Sequence, residues 1–87
     1  IMHTYQVLNE TERFLSFMKD TETGQRGYII TGEESYLEPF HTGKAGARNS
    51  LQILQELTSD NPAQQQRLMT LSENMEGKLG ELTETIQ

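Results

Sequence analysis

Cysteine and tryptophan are absent from this chain of 87 residues, and proline and histidine occur twice each. Without cysteine there can be no disulfide, thiolate metal site or thiol nucleophile, although the compartment stays open. His3 and His41 stand far apart with no companion at ligand spacing, so neither a metal site nor any other cofactor is expected. No apolar run approaches the roughly 18 residues of a membrane-spanning helix. Basic residues are also scarce. Seven of them (Arg13, Lys19, Arg26, Lys44, Arg48, Arg67 and Lys78) are scattered singly among thirteen acids, giving a net charge of −6. Nucleic acid and anionic lipid surfaces both bind clustered Lys and Arg, so neither is expected as a partner. The acid pairs Glu33–Glu34 and Glu73 with Glu76 have no histidine, metal cluster or nucleophile beside them. No nucleophile–base–orienter set can be assembled, and the domain is not expected to be an enzyme.

What is present is helical punctuation. Residues 1–87 have the length of a single domain, and they divide into segments expected at about 2–30, 35–58 and 62–87. In the first, Leu8, Leu15, Glu22 and Ile29 share one heptad position and Thr11, Met18 and Gln25 another, with Phe14 and Tyr28 widening the stripe. It stops at Thr31 and Gly32, where glycine can take the left-handed conformation that ends helices. Ser35 with Glu38 fits a capping box for the second segment, with Pro39 near enough to the start to be tolerated. Leu37, Phe40, Ala47, Leu51, Leu54 and Leu57 form its apolar face. Asn61 followed by Pro62 reads as an N-cap and first helical residue. The third segment carries Leu68, Leu71, Met75, Leu79, Leu82 and Ile86. Short connections make successive helices antiparallel neighbours. The fold class is therefore all-α, an up-down-up antiparallel bundle of three helices.

Two expectations follow from that layout. A chain tethered to a membrane near Ile1 would, after three helices, end about 40 Å away. Returning a signal through the same membrane needs an even number. Three apolar stripes also leave one side of a core open, so this is read as three helices of a four-helix bundle, the fourth coming from the parent protein or from another chain. The second expectation concerns Gly24/Gly27, Gly43/Gly46 and Gly77/Gly80. Folding the chain about residues 33 and 60 brings all three pairs near one level. A glycine inside a helix costs about 1 kcal/mol relative to alanine, so something there should compensate. Close approach of helix backbones would do so; a cavity or deformable zone is the functional alternative, and glycines that merely face solvent are a third.

The densest group of unusual residues runs from Asp20 to Tyr28 (D-T-E-T-G-Q-R-G-Y), continues to Gly32 (I-I-T-G) and resumes from Tyr36 to Phe40 (Y-L-E-P-F). Glu22 and Arg26 have the spacing and orientation of a favourable i,i+4 ion pair. Glu22 and Gln25 are polar on an apolar seam, and Arg26 beside it should hold a carboxylate or helix-end carbonyls if buried. Tyr28 and Tyr36 flank the turn, placed to stack or hydrogen-bond across it. Glu22, Gln25, Arg26, Tyr28 and Tyr36 are thus candidates either to stabilise the turn or to contact a polar or anionic small molecule.

This run, with the opening from His3 to Leu8 and the third segment from Ser59 onward, resembles the CHASE3 family. The resemblance implies an extracytoplasmic sensory domain on the periplasmic side of the bacterial inner membrane, lying between two transmembrane helices. It implies a parent receptor such as a histidine kinase of a two-component system or a nucleotide cyclase. The family's domain continues into a further helix, in keeping with the parity argument, so the chain is expected to lack its last helix. Expected partners are a second copy, as a homodimer or higher assembly through helical faces, the flanking transmembrane helices and an unidentified small molecule. A different class of reading also fits: a ligand-free structural or dimerisation spacer.

Overall fold

A computed structural model describes residues 4–86. The helix start at Met2, His3 and the end at Gln87 lie outside the described residues. Three long helices account for nearly all the rest: α1 (Thr4–Thr31), α2 (Leu37–Leu57) and α3 (Pro62–Ile86), with a one-turn 3-10 helix at Glu34–Tyr36 before α2. The all-α class holds. Gly24 of α1 lies against Tyr36 and Phe40, and Gly43 of α2 against Phe17 and Thr21, so α1 and α2 run in opposite directions. Arg48 with Glu76 and Lys44 with Thr83 set α3 antiparallel to α2, and Glu22 with Lys78 and Gln25 with Thr85 set it parallel to α1. The arrangement is up-down-up, with extents of 48 × 21 × 13 Å.

The stops work through specific atoms. Gly32 has φ 72°, and its N–H donates to the Tyr28 carbonyl at 2.7 Å; only a residue without a Cβ adopts that conformation at little cost. The Asn61 side-chain oxygen accepts from Gln64 N–H at 3.1 Å, an N-cap with Pro62 as the first helical residue. The start of α2 departs from expectation. No side chain caps it, and Ser35 and Glu38 do not form a capping box. The 3-10 turn runs directly into the helix, with Tyr36 N–H bonded to Glu33 and Leu37 N–H to Glu34, so the chain enters through backbone bonds instead.

The core contains Phe14, Ala47, Leu51, Met75 and Leu79, with Phe17, Met18, Leu68 and Leu71 packed against it. Here the expected seam of α1 needs correction. The helix buries Glu10, Phe14, Thr21 and Gly24, while Leu8, Leu15 and Ile29 remain 56%, 60% and 51% exposed. Thr11, Met18 and Gln25 are half-buried. A neighbour can approach closest where side chains are smallest. Thr21 and Gly24 therefore draw α2 to their own face, and the larger apolar line is left on the outside.

Candidate functional site

The turn between α1 and α2 gathers the unusual residues but does not join them all. Tyr36 is half-buried, and its ring fills the space above Gly27 so closely that a Cβ there would collide with it. Tyr28 is half-buried as well. The Thr31 hydroxyl donates to the Gly27 carbonyl at 2.6 Å and accepts from Glu33 N–H at 3.1 Å, fixing the exit. The i,i+4 pair of Glu22 and Arg26 is not formed. Glu22 lies 3.6 Å from Lys78 of α3, whereas Arg26 is exposed and makes no ion pair among the described residues. An exposed guanidinium is fully hydrated, so nothing obliges it to find a carboxylate, and an i,i+4 attraction of a few tenths of a kcal/mol does not hold it. Gln25 donates to Thr85 at 2.8 Å, a second link from this seam to α3.

The glycines divide. A Cβ on Gly24 would sit 2.7 Å from the Tyr36 carbonyl oxygen and 2.9 Å from Phe40 N; on Gly43, 2.7 Å from the Phe17 carbonyl oxygen and 2.9 Å from Thr21 N. These neighbours are backbone and cannot swing aside. Gly46 instead faces a side chain, the Phe17 ring. Gly77 and Gly80 are different, with nothing within 4 Å of a would-be Cβ. Gly24 and Gly43 thus bring α1 and α2 backbone to backbone, Gly27 and Gly46 seat the Tyr36 and Phe17 rings, and the two glycines of α3 face open space. Among the described residues the level of the first two pairs is tight, not hollow: Thr21 is fully buried there, its hydroxyl donating to the Phe17 carbonyl at 2.8 Å.

The attachment of α3 is of another kind. Arg48 donates through both Nε and a terminal nitrogen to the two carboxylate oxygens of Glu76, at 2.9 and 2.8 Å. That two-pronged bond holds the Glu76 carboxyl below the usual carboxylate range, with the charges of Arg48 and Lys44 adding to it, and raises Arg48 further above its already high value. Lys44 donates to Thr83 at 2.9 Å, and the Gln65 amide donates to the Gln55 carbonyl and the Thr58 hydroxyl. Sequence reading missed the Arg48–Glu76 bridge because each residue looks like an ordinary solvated charge. The signal was available: folding α2 onto α3 about residues 60 to 62 places the two at one level.

Two clefts flank this framework. One of about 390 Å³ lies between the start of α1 and the α2–α3 connection, lined by Thr4, Val7, Leu8, Leu57, Asp60 and Asn61 among others. The other, about 350 Å³, lies between α2 and α3 beside the Arg48–Glu76 bridge, with Leu51 and Met75 at its floor. Neither is lined by Glu22, Gln25, Arg26, Tyr28 or Tyr36. Among the described residues no group of three His, Cys, Asp or Glu side chains is placed to hold a metal, and no described helix is long and apolar enough to cross a membrane.

The family model of the CHASE3 domain matches residues 1–87, the whole of the chain. No curated protein and no solved structure matches it. Two of the hairpin's four glycine seats, Gly24 and Gly27 against Tyr36 and Phe40, fall within the run from Asp20 to Phe40 that carries the resemblance. The chain belongs to the CHASE3 family, whose members are extracellular sensory domains of signalling receptors.

Proposed function

We propose that this chain is the periplasmic input domain of a membrane-anchored bacterial receptor, a histidine kinase or similar, and that it relays its stimulus by rearranging helices. One observation carries the reading: the three helices are attached unequally. α1 and α2 meet through backbone at Gly24 and Gly43 and cannot part without losing that fit. α3 is held by an apolar stripe that buries Met75, Leu79 and Leu82, by a bridge whose partners are each about half exposed, 50% and 49%, and by single hydrogen bonds, with no backbone seat like those of the hairpin. Exposed ion pairs are worth 0–1 kcal/mol. A stimulus can therefore slide α3 along the hairpin, breaking only exposed links so long as its apolar face stays covered, while the hairpin moves as a body, and packed helices do shift between discrete arrangements. The flanking transmembrane helices of the parent protein would carry that displacement to the output module.

The test is Arg48→Ala in the full-length receptor. Basal output should change while circular dichroism shows the domain still folded. An unchanged output, with hydrogen exchange showing α3 loosened, would refute the relay. Arg26→Ala separates the two roles of the turn residues. Because Arg26 is exposed, its loss should leave stability unchanged, and a lost response would then assign it to ligand contact. The spacer reading is favoured by the exposed line of Leu8, Leu15 and Ile29. Its spacing of seven and then fourteen residues suits a further helix, from the parent chain or from a second copy. A pure spacer predicts that loosening α3 leaves the output unchanged.

A further inference from the structure

We propose that α3 has two discrete registers against the α1–α2 hairpin, one helical turn apart, in which Arg48 pairs with either Glu76 or Glu73. This deepens the relay reading and rests on it for its biological use. The registers themselves follow from the packing.

The hairpin is keyed against such a slip. Moving α1 by three residues along α2 in one direction carries Gly27 into the seat of Gly24, but it also carries Ile30 onto the Tyr36 ring. In the other direction Thr21 arrives where Gly24 now lies 2.7 and 2.9 Å from backbone. Both directions are blocked by a side chain entering a seat with no room. Nothing comparable holds α3, whose Gly77 and Gly80 face open space.

The apolar residues of α3 recur at steps of three and four: Leu68, Leu71, Met75, Leu79, Leu82 and Ile86. If α3 advances one turn toward its C-terminal end, Leu71 takes the place of Met75, Met75 that of Leu79 and Leu79 that of Leu82. Leu and Met exchange at little cost because their volumes match. Ile86, now half-buried, moves up beside the half-exposed Ile29. On the α2 side Glu73 arrives opposite Arg48 as Glu76 leaves. Glu73 lies one turn before Glu76, exposed and without a partner among the described residues, so it re-forms the bridge. A slip the opposite way would offer Arg48 only Leu79 or Gly80, so the second register has one direction.

The contacts released are Lys44–Thr83, Gln25–Thr85, Glu22–Lys78 and those of Gln65, the first three exposed or part-buried single links. The connection permits the move. Residues 58–61 form a compact turn, closed by Asn61 N–H to the Thr58 carbonyl at 2.9 Å. Five virtual bonds from Leu57 to Pro62 can span about 17 Å, whereas helices about 10 Å apart and displaced by about 5 Å require only about 11 Å.

The absence of cysteine allows unique spin labels. Ser16→Cys with Glu84→Cys reports the position of α3 along the bundle, and Ser16→Cys with Glu38→Cys reports the hairpin. All three positions are exposed. By pulsed electron–electron resonance, Glu76→Gln should shift population in the first pair to a second distance about 4 Å longer, leaving the second pair unchanged. Adding Glu73→Gln should abolish that second distance. A single unchanged distance in Glu76→Gln, a broadening without a second peak, or a shift of the hairpin pair would each overturn the proposal. The measurement needs neither stimulus nor output, so its failure leaves the sensory reading standing, and an inert receptor that still shows two distances would sink only that reading.

Discussion

Replacing Gly43 by alanine puts two well-calibrated effects in opposition. In an open helix the change stabilises, by about 1 kcal/mol, because alanine loses less backbone entropy on folding. At Gly43 the new methyl would lie 2.7 Å from the Phe17 carbonyl oxygen and 2.9 Å from Thr21 N, where ordinary contact begins at 3.4 Å. Thr21 cannot yield by rotating alone, since its hydroxyl is committed to the Phe17 carbonyl at 2.8 Å. The α1 and α2 backbones must therefore part by about 0.5 to 0.7 Å, loosening contacts throughout the hairpin, and overpacking of this kind costs about 1–3 kcal/mol or more. The net expectation is a loss of about 0–2 kcal/mol. Gly77→Ala provides the internal control, because nothing lies within 4 Å and the helical gain should appear undiminished. The two variants should differ by about 1–3 kcal/mol in urea unfolding, Gly77→Ala more stable than the parent chain and Gly43→Ala not. Equal stabilisation by both would mean that α1 and α2 are not held in backbone contact, and the rigid-hairpin argument would fall with it.

Other expectations concern single groups. Ser50 is fully buried and its hydroxyl has no hydrogen-bond partner. Ser50→Ala should therefore stabilise by about 1 kcal/mol, raising the thermal midpoint by about 4–8 °C; a lower midpoint would reveal a bond the buried hydroxyl does make. Asn61→Ala removes the cap of α3 and should cost about 1 kcal/mol by denaturant titration. Glu76 has its folded pKa lowered by Arg48. The stability it supplies is present in full above the ordinary carboxylate value of about 4.3, and is lost as the pH falls below that through the depressed folded value. Both partners are about half exposed, so the contribution is less than about 1 kcal/mol and shrinks with added salt. Thermal melts from pH 7 to 3 should show a smaller acid loss in Glu76→Gln than in the parent, and identical profiles would contradict the assignment.

How far the sequence could be read depended on whether a feature was local. Gly32 and the pair Asn61–Pro62 specify their stops through bonds within a few residues, and both helix ends fall where those residues place them. The apolar period of α3 likewise identified Met75, Leu79 and Leu82, which are buried. What could not be read was which side of α1 would meet a neighbour. Leu8, Leu15 and Ile29 give the stronger hydrophobic period, but period alone treats burial as the whole driving force. Phe14, Thr21 and Gly24 won because two helices gain dispersion contacts along their whole length when small residues let the backbones close up. That choice is a property of α1 and α2 together and is written in neither alone. Glycine spacing was the available clue, and it pointed equally at Gly77 and Gly80, which pack against nothing. The same asymmetry separates the hairpin from α3: steric keys at Gly24 and Gly43 tolerate no displacement, whereas carboxylates at Glu73 and Glu76 offer Arg48 two equivalent seats. In the proposed relay the keys between one pair of helices hold the domain's shape, and the charges between the other pair let α3 move.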